Sequence, residues 1–218
     1  QFDHFAYLPS CGASGGLLTI WKSSVFSGSV ISSDQYALVV DFVSTQSSQR
    51  WMLVNVYGPC MGADRDAFTQ WLYDIHIPSN QDWLLLGDFN YMRAPDNRNK
   101  PGGNIHDMIT FNDIIRKLQL IELPVKGRTY TWSNMQIDPL LEQIDPLLEQ
   151  IDWFFTSLHW TNVYPKTLVK PLGKPVSDHI PCVVSIESKI PHSKLFHFES
   201  YWILQPGFMD IIKEVWER

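Results

Sequence analysis

Short apolar runs, each closed by turn-forming residues, recur along this chain and constrain its fold more than any other feature. They occupy residues 16–21, 36–43, 51–57, 83–86, 129–132, 151–155 and 181–186. Runs of this length, rich in aromatic and β-branched residues and bounded by Gly, Pro, Asn, Asp or Ser, read as buried strands. Two segments show helical spacing instead. Residues 64–75 place Ala67, Phe68, Trp71, Leu72 and Ile75 on one side, and residues 105–118 do the same with Met108, Phe111, Ile114, Ile115 and Leu118. Many strands with few helices exclude a doubly wound sheet, which needs a crossover helix after nearly every strand. They predict a layered α/β sandwich.

A chain of 218 residues suits one large domain, or one domain with a tail. Nine Trp and twelve Phe supply a sizeable core. No apolar run approaches the roughly 20 residues of a membrane span, so no membrane partner is expected. The opening residues, Gln1 to His4, lack the basic and apolar regions of a signal peptide. They also lack an initiator Met, which suggests a truncated chain. The net charge of −6 is awkward for a nucleic-acid enzyme, because phosphate binding draws on Lys and Arg. By itself it favours an acidic protein without a nucleic-acid partner. The alternative is a cluster of carboxylates around a cation, with basic groups elsewhere. Cys11, Cys60 and Cys182 lie far apart, with no zinc-ligand spacing, as expected for reduced thiols inside a cell.

Residues 137–143, IDPLLEQ, are repeated without change as residues 144–150. Two adjacent copies do not make a solenoid, which needs three or more stacked units. A tandem duplication in the connection between the strand ending near Trp132 and the one starting near Ile151 is the better account. After Ile190 the composition changes. Residues 191–194 read as a boundary, so residues 1–190 form the expected main domain. Residues 191–218 form a C-terminal connector with a helix-like stretch from Phe208 to Trp216. Packing of this tail onto the same core is the open alternative.

Two features carry chemistry. The apolar run at residues 83–86 leads into Gly87, Asp88, Phe89 and Asn90. On an extended backbone, residues two apart point the same way, so Asp88 and Asn90 are expected to address one site at a strand's C-terminal end. The Asp would orient a nucleophilic water or bind a hard cation, and the Asn amide would donate to a phosphate oxygen. The bland alternative is an Asx-rich turn. The second feature is Ser177, Asp178 and His179, between Pro175 and Pro181. A carboxylate beside an imidazole fixes its tautomer and stabilises its charged form. Adjacent side chains on a strand diverge, so a different Asp must orient His179 unless the backbone bends. Asp152 offers that partner. Asp145 stands in the same Glu-Gln-Ile-Asp context seven residues earlier, but only Asp152 leads into an aromatic strand. Tyr57, at the end of the run before Gly58 and Pro59, presents a hydroxyl that could donate to phosphate.

In this order, Gly15–Gly16 with the apolar run to Trp21, Asn55 to Pro59, Gly87 to Asn90, Tyr130 to Ser133, Ile151–Asp152 and Ser177 to His179 resemble the endonuclease/exonuclease/phosphatase superfamily. More narrowly they resemble the endonuclease region of plant LINE-type, non-LTR retroelements. The resemblance implies a DNase I-like, four-layered α/β sandwich, with two β-sheets packed face to face and helices outside. It implies Mg²⁺-assisted hydrolysis (or Mn²⁺ in its place) that nicks DNA and leaves a 3′-hydroxyl. The fused partner would be a reverse transcriptase, and a working enzyme would act in the nucleus. Tyr57 would contact the scissile phosphate, Asp88 would orient the attacking water, and Asn90 would bind the phosphate. Thr131 and Ser177 would lie on the substrate side. Asp152 would hold His179, the base or charge stabiliser, and Asp178 would lie at the metal.

The family's opening Asn-bearing strand, and the strand whose Glu binds the metal, are not found before Gly15. The resemblance therefore also implies missing N-terminal strands, with exposed sheet edges, and weak or absent activity in the chain as given. A phosphatase of the same superfamily and a non-catalytic relic or binding module are the alternative readings.

Overall fold

The computed structural model describes residues 1–10, 15–47, 49–78, 80–134, 146–173, 177–186 and 207–216. In chain order the strands are β1 (His4–Leu8), β2 (Leu17–Trp21), β3 (Phe26–Ser33), β4 (Ala37–Ser44), β5 (Arg50–Tyr57), β6 (Trp83–Asp88), β7 (Ile121–Glu122), β8 (Trp132–Ser133), β9 (Leu148–Glu149), β10 (Asp152–Thr156), β11 (Leu168–Pro171) and β12 (Cys182–Ser185). The helices are α1 (Asp64–Asp74), α2 (Ile105–Lys117), α3 (Leu158–Val163) and α4 (Phe208–Trp216). The chain divides into two compact units, Gln1–Ser188 and Lys189–Arg218, the second containing α4. No described helix is long and apolar enough to cross a membrane.

A six-stranded mixed sheet, β3-β4-β5-β6-β10-β7, forms the centre of the first unit. Its apolar strands are covered on both faces, which is why β4 is buried along almost its whole length rather than alternating. Ala37 and Val39 face one cluster, with Val54, Val56, Leu85, Trp153 and Phe155. Phe68 and Leu72 of α1 and Phe111, Ile114 and Ile115 of α2 close that side. Leu38, Val40 and Phe42 face the other cluster, where Ala6, Leu17 and Trp21 of the β1–β2 pair cover them. Each large side chain removed from water in this way contributes about 1.5–3 kcal/mol.

Local chemistry sets the element ends. The Asn104 side chain caps α2 by accepting from the His106 and Asp107 amides, and Arg116 and Lys117 face the negative end of the helix dipole. The Ser157 side chain caps α3 through the Trp160 amide. The expected strand at residues 129–132 is reduced to Trp132–Ser133, paired with Leu148–Glu149. The second copy of the IDPLLEQ repeat thus supplies β9 and belongs to a sheet. The first copy, residues 137–143, lies outside the described residues, as do Asp145 at the head of the second copy and Cys11. Cys60 and Cys182 are free thiols.

Candidate active site

The topology brings the chemistry to one row of the central sheet. β5 runs parallel to β6, with Tyr57 opposite Asp88, and β10 runs antiparallel to β6, with Asp152 opposite Asp88. Tyr57, Asp88 and Asp152 therefore stand side by side where β5 and β6 end and β10 begins. Two glycines permit the close approach. Gly87 has φ +139°, and a Cβ there would lie 2.0 Å from the Val56 carbonyl oxygen. A Cβ on Gly58 would meet the Phe89 carbonyl oxygen at 2.3 Å.

The Ser177–His179 segment reaches this row through the backbone of residues 131–133. Trp132 bridges His179, the Ile180 amide donates to the Thr131 carbonyl (2.8 Å), and the Ser133 amide donates to that of Asp178 (3.0 Å). The result is a cleft of about 530 Å³, lined among others by Tyr57, Asp88, Asn90, Trp132, Asp178 and His179.

His179 is oriented by Asp152. Its Nδ1 lies 3.1 and 3.0 Å from the two carboxylate oxygens, which fixes the proton on Nδ1 and turns Nε2 toward Asp88, 3.7 Å away. The hydrogen bond that His179 donates to Asp152 raises the His179 pKa, against the effect of burial, and the charges of Asp152, Asp88 and Asp178 add to the rise. Burial pushes the Asp88 carboxyl up to about 7, with the Asp152 charge adding to the rise and His179 and Asn90 opposing it. The His179 charge lowers the Asp88 pKa and the Asp88 charge raises that of His179, so the two groups titrate as a pair. Asp178 is exposed and differently placed. Burial, the largest single effect, raises its pKa, but the Trp132 indole N–H, which donates to Oδ2 at 3.0 Å, further hydrogen bonds and the His179 charge together hold it below the usual carboxylate value. It therefore stays an anion across the physiological range.

Asn90 differs from expectation. Its φ is +54°, so the chain turns after Asp88 and the extended-strand reasoning that aligned the two side chains does not apply. Its amide nitrogen donates to the Gly58 carbonyl (2.9 Å) and to Asp88 Oδ2 (3.0 Å), and its backbone N–H donates to Asp88 Oδ1 (2.9 Å). Both amide hydrogens are engaged, so in this geometry Asn90 braces Asp88 rather than offering a free donor to phosphate. Thr131 also differs: it is 1% exposed, and its hydroxyl accepts from the Asp152 backbone N–H (3.2 Å), so it supports Asp152 from behind instead of facing substrate. Ser177 is exposed and accepts from the His179 amide (3.1 Å) in a local turn.

Arg65 was not singled out from the sequence. Its guanidinium donates to the carbonyls of Pro59 (3.0 Å) and Asn90 (2.9 Å) and to Asp107 (2.8 Å), and it lies 3.8 Å over the Tyr91 ring. It ties the two turns that carry Tyr57 and Asn90 to α2. No sequence signal marks it, because its partners are assembled only by the fold. Glu149 and Asp107 also line the cleft, paired with Arg98 and Arg65 respectively.

No family model matches the chain. It is 24% identical over 224 aligned positions to the transposon TX1 uncharacterized 149 kDa protein of Xenopus laevis, covering 99% of this chain and 16% of that protein. The chain therefore spans only a small part of that relative's length. Among solved structures, the endonuclease domain of TRAS1, a telomere-specific non-LTR retrotransposon, superposes with a TM-score of 0.64 at 12% identity, covering 85% of this chain and 81% of that one. An AP endonuclease from Archaeoglobus fulgidus gives 0.59 at 13% identity, covering 84% and 79%.

The chain has the DNase I-like fold. An endonuclease/exonuclease/phosphatase family protein from Leptotrichia buccalis, at TM-score 0.52 and 15% identity, covers 85% of this chain and 72% of its own and shares the fold. In the DNase I-like chain described here the mixed six-stranded sheet carries the cleft at one end, and α1 and α2 bury one face of that sheet.

Proposed function

We propose that this chain is a phosphodiester hydrolase that nicks DNA, the endonuclease part of a plant LINE-type, non-LTR retroelement, acting ahead of a reverse transcriptase. One observation carries the reading: Asp88, Asp152 and His179, remote in sequence, meet in a single hydrogen-bonded and charge-coupled row on the cleft wall. The similarity to a transposon protein supports the genetic setting, and the motif order supports the plant LINE type.

The chemistry follows from the arrangement. Asp88 orients a water toward the phosphorus and receives its proton into the Asp88–His179 pair. His179, held by Asp152, which favours its charged form, offsets the negative charge that builds on the phosphoryl oxygens. Tyr57, beside Asp88 in the same row, donates to a non-bridging oxygen. Asn90 keeps Asp88 at the height of the row, and cleavage of the P–O3′ bond releases the 3′-oxygen, which takes a proton from solvent water to become the primer hydroxyl.

Among the described residues no three His, Cys, Asp or Glu side chains converge as a metal cage. The donor chemistry still fits Mg²⁺, which commonly binds one or two carboxylates and completes its shell with waters and substrate phosphate. Asp178, anionic and exposed at the cleft, would be that carboxylate. When bound, the ion supplies Lewis-acid stabilisation of the leaving oxygen. A single carboxylate holds it loosely, and slow nicking at high Mg²⁺ follows.

The test is relaxation of supercoiled plasmid with enzyme in excess over DNA and Mg²⁺ present. The expected result is slow conversion to open circles, reduced about 10²–10⁴-fold by His179→Ala. Equal rates for the two proteins, or preferential hydrolysis of soluble inositol phosphates, would remove the reading.

A further inference from the structure

The net charge of −6 is unevenly distributed. Residues 123–134 and 157–186 together hold Lys126, Arg128, Lys166, Lys170 and Lys174 against Asp178 as the sole acid. The fold gathers three of these cations on one surface. Val125 bridges Val169 in the parallel sense, and the Lys126 amide donates to the Val169 carbonyl at 2.9 Å. Lys126 and Lys170 are thus the next residues on neighbouring strands, and both are exposed. Lys170 pairs with Val183 across the β11–β12 ladder, and Pro171 pairs with Cys182. Arg128, also exposed, lies close enough to Cys182 to oppose the rise that burial imposes on its thiol. No carboxylate among the described residues pairs with Lys126, Arg128 or Lys170.

This surface continues directly from the cleft. Residues 131–133 run beside 178–180, from the Trp132–His179 bridge to the Ile180–Thr131 hydrogen bond. Arg128 and Val183 lie farther along the same two segments. The four steps from His179 to Val183 span about 13 Å of extended chain. Along one DNA strand that is about four nucleotides at about 3.4 Å each.

We propose that Lys126, Arg128 and Lys170 form a track for the phosphates of the DNA strand flanking the scissile ester. This rests on the phosphodiesterase reading for where the ester lies. Cations without a carboxylate partner among the described residues, on an otherwise acidic chain and leading from a cleft suited to phosphate chemistry, favour a nucleic-acid backbone over an acidic peptide or a membrane. The three residues bind and position; none touches the reacting atoms.

The measurement is equilibrium binding of a fluorescent duplex oligonucleotide to the full chain by anisotropy, across a series of salt concentrations. Lys126→Ala/Arg128→Ala/Lys170→Ala should flatten the slope of log K against log salt by about 2.7, corresponding to three lost phosphate contacts, and weaken binding at least tenfold near 0.1 M salt. A control with the same charge change, Lys22→Ala/Arg116→Ala/Lys117→Ala, should keep the wild-type slope. Hydrolysis of bis(p-nitrophenyl) phosphate should be the same in the track variant as in wild type. An unchanged slope in the track variant, or equal flattening in both variants, would overturn the track. So would track-dependent binding of a poly-glutamate peptide or anionic vesicles without track-dependent duplex binding. Track-dependent duplex binding by a wild-type chain that hydrolyses no diester would leave the track standing and remove the catalytic reading. Hydrolysis of DNA with a track-independent slope would do the reverse.

Discussion

Asp88 spans two roles that pull against each other. Burial and the nearby Asp152 charge keep its carboxyl protonated to about 7, whereas an unfolded Asp releases its proton near 3.8. The folded state therefore binds more protons between those values. Its contribution to stability is fully present below about 3.8 and is lost as pH rises through about 7. The raised His179 pKa acts in the same direction, its share being lost as pH rises above its ordinary 6.5 and through the folded value. Asp88→Asn should therefore stabilise the fold by about 2–4 kcal/mol at pH 8 and by little at pH 4, while abolishing activity. Urea unfolding in EDTA at the two pH values checks this; a larger gain at the acid end would contradict it. At this scale the sequence was partly legible. Asp88 and the Asp178–His179 pair stand in short contiguous motifs. The partner of His179 was ambiguous because the repeat duplicates its Asp, and only the β6–β10 register seats Asp152. The turn at Asn90 and the packing of Thr131 were not legible, since both depend on backbone conformation and burial that no local pattern encodes.

The central elements were recognisable because burial on both faces leaves continuous apolar runs in β4, β5 and β6. β3 escaped notice for the opposite reason. It is an edge strand, mostly exposed and serine-rich, so it has no core face to leave a period-two pattern. β7, β8 and β9 are two residues each, too short to show any period. What positions the site is the β5–β6 contact, and it depends on Gly87. Gly87→Ala would place a methyl against the Val56 backbone at a φ that disfavours any side chain. A loss of at least about 3 kcal/mol is expected, read as a fall in the urea midpoint at constant slope. An unchanged midpoint would show that the two strands separate easily and that the row is not rigid.

Across the whole molecule, the β1–β2 pair sets the solution behaviour. Its inner face packs on Phe42 and Val40, but its outer face presents Phe5 opposite Ile20 and Tyr7 opposite Leu18, each about half exposed or more. A contiguous cross-strand apolar patch of this kind promotes association. Light scattering should show mass rising with concentration, and Phe5→Ser/Leu18→Ser should suppress the rise. Concentration-independent mass in the unmodified chain would contradict this. The sequence suggested exposed sheet edges, yet it gave no sign of β1, whose alternating residues lie just ahead of the Gly-rich turn.

Cooperation among Asp88, Asp152 and His179 is tested most directly by a double-mutant cycle on single-turnover plasmid nicking. If Asp152 acts only by holding His179, then Asp152→Ala/His179→Ala should be no slower than His179→Ala alone, with Asp152→Ala slower than wild type. Losses that multiply, or a wild-type rate in either single variant, would mean that the imidazole and the carboxylate behind it do not work as one unit.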